Sequence, residues 1–489
     1  MRSMQKPIRT MTSLAVLAMM ASHAINAGGF SLYTEGSAAA IGNFAAGIAA
    51  EGADASIGWY NPAGLVLLKK QQAVLGGVGV FPSTQLTGSS LYSTPNLFDP
   101  TEPNLTYAQT FSGLQAAKSA LVPSLHYALP LNDMAVFGLS IVAPFGLSTD
   151  YEKNSPVRYA ATLSKLETFT LSPELGHKIT KHFSLGVGVD LQYARVTFNR
   201  MIGSPAYLQY LELVVPQEIT PYTLDSESKN TGDSFGVGFH LGGLLRFSED
   251  HTRLGLNYQS HVNHNFSGRS QLTGRFADPA LNIFAPGLAN PNASFYSNTL
   301  SSNSIALPGI LTLSGYQDVN DKLALLGSVV YSQWSSFKEI TLNNVAVGVP
   351  DPDLGTTTLT TRNATTTEGY RDTWRLAIGA NYHVNDQWMM RIGGGYDQTP
   401  TVNAHRDVRL PDSNRGAVAI GVHYQAFPSV GFDVGYSYLF ATNDAIINNT
   451  QPIATSTYNV TATSKNHAQL VGLQAVWKLD QEKASMTTK

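Results

Sequence analysis

The stretch Phe183-Ser184-Leu185-Gly186-Val187-Gly188-Val189-Asp190-Leu191-Gln192-Tyr193-Ala194-Arg195-Val196-Thr197-Phe198-Asn199-Arg200 decides the fold. From Phe183 to Tyr193 every odd position is apolar or aromatic, and every even position is Ser, Gly, Asp or Gln. Side chains alternate between the two faces of a β-strand, so one face is continuously apolar and the other small or polar. A soluble sandwich alternates too, with the apolar face turned to its core. This stretch is far longer than the ~5–6 residues of an ordinary soluble strand. Length, and aromatics gathered at strand ends, favour the wall of a membrane β-barrel, in which lipid-facing and lumen-facing residues alternate.

Working outward, the same period returns along the chain. Phe235, Val237, Phe239 and Leu241 repeat it, as do Trp374, Leu376, Ile378 and Tyr382, and Val430, Phe432, Val434, Tyr436, Tyr438 and Phe440. Candidate strands fall at 72–83, 118–129, 134–150, 158–178, 183–200, 235–248, 252–266, 307–318, 322–338, 370–384, 387–399, 414–426, 430–446 and 465–479. They number fourteen, and an even count fits a bacterial barrel. Short turns such as Leu131-Asn132-Asp133, Asn320-Asp321 and Asn385-Asp386 alternate with long polar loops near 201–234, 267–306 and 339–369. Short turns on one rim and long loops on the other predict an outer-membrane topology with the long loops outside the cell.

Composition agrees. Charged residues make up 13% of the 489, about half the usual ~25%. Glycine (43), Tyr (22) and Phe (21) are plentiful, and the net charge is -3. No basic excess exists for a nucleic-acid partner. With no cysteine there is no disulfide, thiol nucleophile or zinc ribbon. The dispersed histidines define no metal site, and no cofactor motif appears. Gly232-Asp233-Ser234-Phe235 has the look of an esterase block, but it opens a strand and no partner histidine pattern follows, so an enzyme is not expected.

The two ends differ from the barrel. Residues 1–27 read as a secretory signal: Arg2, Lys6 and Arg9 precede the apolar core Met11 to Ala21, and small residues follow. Cleavage after Ala27 or after Ala24 both fit. Residues 28–70 lack strand alternation and are rich in Ala and Gly between Glu35 and Ala55. Such a segment suits a small plug, or hatch, inside the lumen, because small residues let its backbone pass close to the wall; a free periplasmic tail is the alternative. The barrel would span 71–479, and residues 480–489 form a polar tail hanging in the periplasm.

Specific motifs sharpen this picture. They are Gly29-Phe30-Ser31-Leu32, Ile41-Gly42-Asn43-Phe44-Ala45-Ala46-Gly47 and Trp59-Tyr60-Asn61-Pro62-Ala63-Gly64-Leu65. Further along stand Val122-Pro123-Ser124-Leu125-His126-Tyr127, Pro144-Phe145-Gly146-Leu147-Ser148-Thr149 and Trp334-Ser335-Ser336-Phe337. Near the end come Arg371-Asp372-Thr373-Trp374-Arg375, Tyr396-Asp397-Gln398-Thr399-Pro400 and Leu410-Pro411-Asp412-Ser413-Asn414-Arg415. In this order the chain resembles the FadL/TodX family of outer-membrane long-chain fatty acid and hydrocarbon transporters. The resemblance implies an all-β protein: a fourteen-stranded antiparallel transmembrane barrel plugged by a small N-terminal hatch, in the outer membrane of a Gram-negative bacterium. It implies passive uptake of hydrophobic molecules, most centrally long-chain fatty acids, with neutral aromatic or alkane hydrocarbons as the alternative. The ligand would land between outer loops, enter a lumen pocket, and leave sideways into the membrane at a kinked third strand. A polar-solute porin is the weaker rival, since a plug contradicts an open lumen. The implied partners are the hydrophobic ligand, outer-membrane lipids and the barrel-assembly machinery.

Individual residues follow from these two readings. Pro144 cannot donate to a strand ladder, and Gly146 weakens one, so Ala143, Pro144, Phe145 and Gly146 mark either a rim bulge or the lateral opening; the resemblance favours the opening. Phe30 matches a ligand-contacting phenylalanine. Arg200, on the lumen parity counted from Asp190, matches an arginine that contacts the ligand carboxylate, which a guanidinium suits through paired donors; an ion pair with Asp190 is the alternative. The family's second cationic contact aligns near Thr341, where no cation stands, and the nearest lysine is Lys338. Asn61, Pro62 and Ala63, with Arg375, Arg391, Asp412 and Arg415, are expected to hold the hatch to the wall. Apolar side chains in the outer loops, among them Leu208, Leu211, Phe276 and Phe284, suggest a hydrophobic landing site.

Overall fold

The computed structural model of the chain describes residues 31–214, 221–283, 285–351 and 353–479. The signal segment, Phe30, Phe284 and the tail 480–489 lie outside the described residues.

The strands are β1 (Gln71–Thr94), β2 (Leu105–Gln115), β3 (Ala120–Pro130), β4 (Ala135–Val142), β5 (Gly146–Asp150), β6 (Leu163–Lys178), β7 (Phe183–Ile202), β8 (Ser226–Phe247), β9 (Thr252–Gln259), β10 (Val262–Thr273), β11 (Ser294–Leu307), β12 (Ile310–Asp318), β13 (Leu323–Ser332), β14 (Glu339–Asp351), β15 (Thr356–Thr367), β16 (Thr373–His383), β17 (Trp388–Asp397), β18 (Arg415–Phe427), β19 (Val430–Ala441), β20 (Ala445–Ile453) and β21 (Ser456–Leu479). Fourteen of them close the wall. In order these are β1, β3, β4, β6, β7, β8, β9, β12, β13, β16, β17, β18, β19 and β21, each antiparallel to the next. β21 returns to β1 from Gln71↔Leu479 to Ser93↔Thr457, so the sheet closes on itself and has no terminal edge strand. No described helix is long and apolar enough to cross a membrane.

Side-chain polarity is inverted relative to a soluble protein. On β8, Phe235, Val237, Phe239 and Leu241 stand exposed, while Gly236, Gly238, His240 and Gly242 are buried between them. Ser184, Asp190, Gln192, Asn257 and Asn381 are likewise buried in the lumen. Aromatics collect toward both ends of the wall. Trp388 stacks on Tyr424 with ring centres 4.4 Å apart near one rim, and Tyr331 lies 4.7 Å from Trp374 toward the other. These are the two girdles that an outer-membrane barrel sets at its interfaces.

Several boundaries differ from expectation. The long segments 201–234, 267–306 and 339–369 are not simple loops. β8 begins at Ser226, β10 runs to Thr273, β11 begins at Ser294, and β14 pairs with β15 above the wall. Alternation there is broken by Thr, Ser and Asn on both faces, because neither face meets lipid, and the pattern carried no strand signal. β1 and β21 run on past the expected ends and pair with the hairpin partners β2 and β20. Residues 158–162 are not strand but turns, with Arg158 buried. The expected strand 252–266 breaks at Ser260–His261, 307–318 breaks at Pro308–Gly309, and 322–338 ends at Ser332 before a helical turn at Trp334–Ser336.

Short helical turns at Thr34–Gly36, Ala39–Asn43, Ile57–Tyr60 and Pro62–Leu67 fill the lumen. Residues 34–50 and 54–66 are buried. The wall opposite them carries glycines on its inner face. A Cβ on Gly393 would collide with the Asn43 carbonyl, one on Gly255 with the Ala49 carbonyl, and one on Gly186 with the Pro62–Ala63 peptide. Inward glycines therefore admit the plug's backbone directly against the barrel.

Candidate functional site

The third wall strand is interrupted. Val142 of β4 pairs with Thr170 of β6, and Gly146 of β5 pairs with Glu167. Three residues, 143–145, thus oppose two, 168–169, which is a bulge of one extra residue. Proline at 144 removes a ladder donor there. On the other side of the same strand, pairing with β3 ends at Leu125↔Ile141 and resumes only at Ala117↔Thr149. Residues 142–148 therefore have no ladder partner on that side among the described residues of the wall, and the barrel has a slit.

The hatch reaches into this slit. Ser31 forms a bridge with Phe145, and the Leu32 N–H donates to the Pro144 carbonyl at 2.8 Å. Leu32 is buried against Val78, Val80 and Val122 on the facing strands, with Ala143 beside them. Just below, His126 Nε2 contacts the Gly36 carbonyl at 2.8 Å. Ala143, Pro144, Phe145 and Gly146 thus lie together with the first described residues of the plug, a meeting that only the tertiary structure brings about.

Polar side chains tie the plug down, mostly through its backbone. Asn61 Nδ2 donates to Ala49 O (2.7 Å) and to Gly243 O of β8 (3.1 Å), while its Oδ1 accepts from Ala63 N. Pro62 opens the turn Pro62–Leu67. Arg375 donates to Phe44 O at 2.8 Å, with its guanidinium 3.8 Å from the Phe44 ring centre. Arg391 pairs with Asp433 at 2.5 Å, and Gln474 bridges that carboxylate to Asp54 of the plug. Asn381 donates to Glu51 at 2.7 Å. Arg415 pairs with Asp397 (3.1 Å) and Asp412 (3.6 Å), and Asp412 also accepts from Thr399. These contacts of Asp412 and Arg415 fasten the segment after β17, which folds inward so that residues 406–408 and 410–413 are buried.

Beside the kinked strand lies an apolar cluster of side chains. Phe145, Leu147, Phe266, Trp334, Phe337 and Tyr370 share one buried cluster. Phe145 meets Trp334 edge-on with ring centres 6.1 Å apart, Trp334 lies 5.9 Å from Tyr370, and Phe337 lies 4.9 Å from Tyr370. The helical turn at Trp334–Ser336, right after β13, turns these rings inward. The motif Trp334-Ser335-Ser336-Phe337 is visible in the sequence, but nothing in its periodicity says that the wall ends there.

Arg200 sits near the outer end of β7 between Phe198, which packs on this cluster, and Met201, which belongs to a second apolar cluster with Tyr92 and Tyr159. It is half-buried. Its polar neighbours are Tyr92 and a second guanidinium, Arg409. Arg409 is matched by Asp407 at 2.6 Å. No carboxylate among the described residues lies within ion-pair distance of Arg200. Asp190, the alternative partner, instead accepts from Ser172 (2.7 Å) and meets His240 (3.0 Å). Nearby, burial and the Asp407 carboxylate push the Glu368 carboxyl up to about 8, against the pull of Arg409.

The outer-loop residues are arranged otherwise than a landing site of exposed side chains requires. Leu208, in the helix Pro205–Val214, is buried, and Phe276 is buried against Leu272 and Leu281. Leu211 is half-buried. The helix packs on the β1–β2 hairpin, where Phe98 stacks on Tyr210 at 4.9 Å. Among the large apolar side chains that do stand out at this end are Leu97, Phe98, Tyr222, Leu288, Tyr296, Leu354 and Ile446. Lys338 is exposed.

Comparison with known proteins bears on this architecture. Residues 17–478 match the family model described as outer membrane protein transport protein (OMPP1/FadL/TodX). A long-chain fatty acid transport protein of Escherichia coli O6:H1 is 29% identical over 441 residues, covering 89% of this chain and 92% of that one. Among solved structures, a Pseudomonas aeruginosa FadL homologue superposes with a TM-score of 0.74 at 27% identity, covering 92% of this chain and 100% of the other. The Pseudomonas putida toluene transporter TodX, at 15% identity and a TM-score of 0.60 with the same coverage, shares the fold. The chain therefore belongs to the outer membrane protein transport protein family (OMPP1/FadL/TodX), whose members are channels for hydrophobic molecules in the Gram-negative outer membrane and not enzymes.

Proposed function

We propose that the protein takes up long-chain fatty acids, with the carboxylate at Arg200 and the alkyl chain among the side chains of the aromatic cluster, and releases them sideways through the slit in the third wall strand. The observation that carries this reading is Arg200. It is a guanidinium on the inner face, close to an apolar cluster, with no ion-pair partner among the described residues. A partly desolvated cation is costly without an anion, and a ligand carboxylate supplies one in the paired geometry that guanidinium prefers. The relative from Escherichia coli named as a long-chain fatty acid transport protein supports the same substrate class. Phe30 directly precedes Ser31 in sequence and is assigned a ligand contact. The outer-loop residues Leu208, Leu211, Phe276 and Phe284 are assigned to landing, which requires Leu208 and Phe276 to become uncovered.

A neutral ligand is the second reading. It is favoured by the exposed Lys338 and by Thr341, which leave the aromatic cluster without a second cation at that place. Uptake of radiolabelled oleate by Gram-negative cells lacking their own transporter separates the two. Oleate uptake that requires the protein and falls at least tenfold with Arg200→Ala, about the effect of losing one charge-assisted hydrogen bond, supports the fatty acid. A correctly assembled barrel that takes up toluene but no oleate overturns it in favour of hydrocarbons.

A further inference from the structure

Leaving the slit unpaired on the β3 side does not free the kinked segment on its other side. The Phe145 N–H donates to the Thr168 hydroxyl at 2.9 Å, and that hydroxyl donates in turn to the Phe145 carbonyl at 2.7 Å. Thr168 is a residue of β6, pairs through its backbone with Ala194 of β7, and turns a buried side chain inward. One side chain thus takes both backbone groups that the bulge has pulled out of the β4–β6 ladder. The consequence is geometric. With Phe145 turned toward Thr168, its neighbours Pro144 and Gly146 face the slit, and Pro144 O is the group that receives Leu32 N–H from the plug.

We infer that Thr168 is a positioning residue of the gate: its hydroxyl holds the bulge in the shape that docks the plug's first residues, and so keeps the slit sealed between transport events. The inference rests on the lateral-exit reading above. Valine keeps the branched shape of threonine and lacks the hydroxyl, so Thr168→Val removes both bonds without opening a cavity. Thr168→Ser keeps the hydroxyl. Loss of one or two net hydrogen bonds shifts an equilibrium by about tenfold.

Hydrogen exchange at the Phe145 and Leu32 amides is measured on the assembled barrel together with oleate uptake below saturation. Exchange at both amides is expected to rise about tenfold in Thr168→Val, and uptake to rise about threefold as unsealing becomes easier. In Thr168→Ser both stay within about twofold of the parent protein. Unchanged exchange in Thr168→Val, or equal behaviour of the Val and Ser variants, overturns the inference. Should Thr168→Val fail to assemble, Thr168→Cys, whose thiol donates weakly, is read by the same criteria.

A separate lock tells failure of the inference from failure of the exit reading. The chain has no cysteine, so Ser31→Cys with Phe145→Cys offers one unambiguous crosslink at facing bridge positions. If oxidation of that pair stops uptake while Thr168→Val leaves it unaltered, the exit stands and the role of Thr168 falls. If the oxidised lock still transports, the exit reading falls, and the gate role with it.

Discussion

At the residue scale, inward parity made part of the site legible. Arg375 and Arg391 lie on strands whose outer faces are plainly apolar, so their side chains had to point inward, and both meet the plug or its anchoring carboxylates. Thr168 gave no signal, because its partner is a backbone displaced by a bulge 23 residues earlier. Two predictions belong to this scale. Gly186→Ala drives a methyl into the Pro62–Ala63 peptide, backbone against backbone. It is expected to cost ~1–3 kcal/mol, as overpacking does, and to lower the temperature at which the barrel loses its heat-modifiable gel mobility. Glu368 lies between β15 and β16, and burial raises its carboxyl from 4.5 to about 8. A raised acid favours the protonated native state, so its contribution is fully present below about 4.5 and is lost as pH rises toward 8. The apparent melting temperature should fall between pH 5 and pH 9 in the parent protein and fall less in Glu368→Gln.

At the element scale, strand identity was readable wherever one face met lipid and the other met the lumen. Phe183–Ile202 is the clearest case, and Val430–Ala441 another. Above the membrane both faces of β10, β11, β14 and β15 meet water or other loops, the alternation disappears, and the sequence reads as loop. The break in the third strand was signalled by Pro144 and Gly146. That it is a one-residue bulge against β6 and a slit against β3 emerges only from the two registers. Deleting Ala143 together with Pro144→Val would remove the extra residue and restore a donor, letting the ladder run through. Assembly should be unaffected, and oleate uptake should fall at least tenfold, the size expected of a step whose gate is stabilised shut by one or two hydrogen bonds. Undiminished uptake would argue against exit at this strand.

At the scale of the whole molecule, plug and wall are one packed object. Wall side chains reach the plug's backbone at Gln259→Trp59 O, Ser437→Ile41 O and Arg253→Glu51 O, and inward glycines let the plug's main chain lie against the strands. Small residues from Glu35 to Ala55 thus act as filling for a lumen too narrow for bulkier side chains. A variant lacking residues 31–66 should still close its fourteen-stranded wall and should admit small polar solutes in a liposome-swelling assay. Continued exclusion of those solutes would count against the plug as the permeability barrier.

The sequence by itself determined the class of fold, the strand count, the membrane-facing surface and the presence of a small-residue plug. These depend on local periodicity and composition, which a β-strand between lipid and lumen imposes residue by residue. The tertiary structure alone decided which backbone groups the bulge exposes, that Thr168 and Leu32 satisfy them, that Arg200 stands without an ion-pair partner among the described residues, and that Trp334, Phe337 and Tyr370 pack in one apolar cluster. Those are meetings between side chains of separate elements, or between a side chain and a displaced backbone. Closure of the barrel fixes them, and no pattern along the chain encodes them.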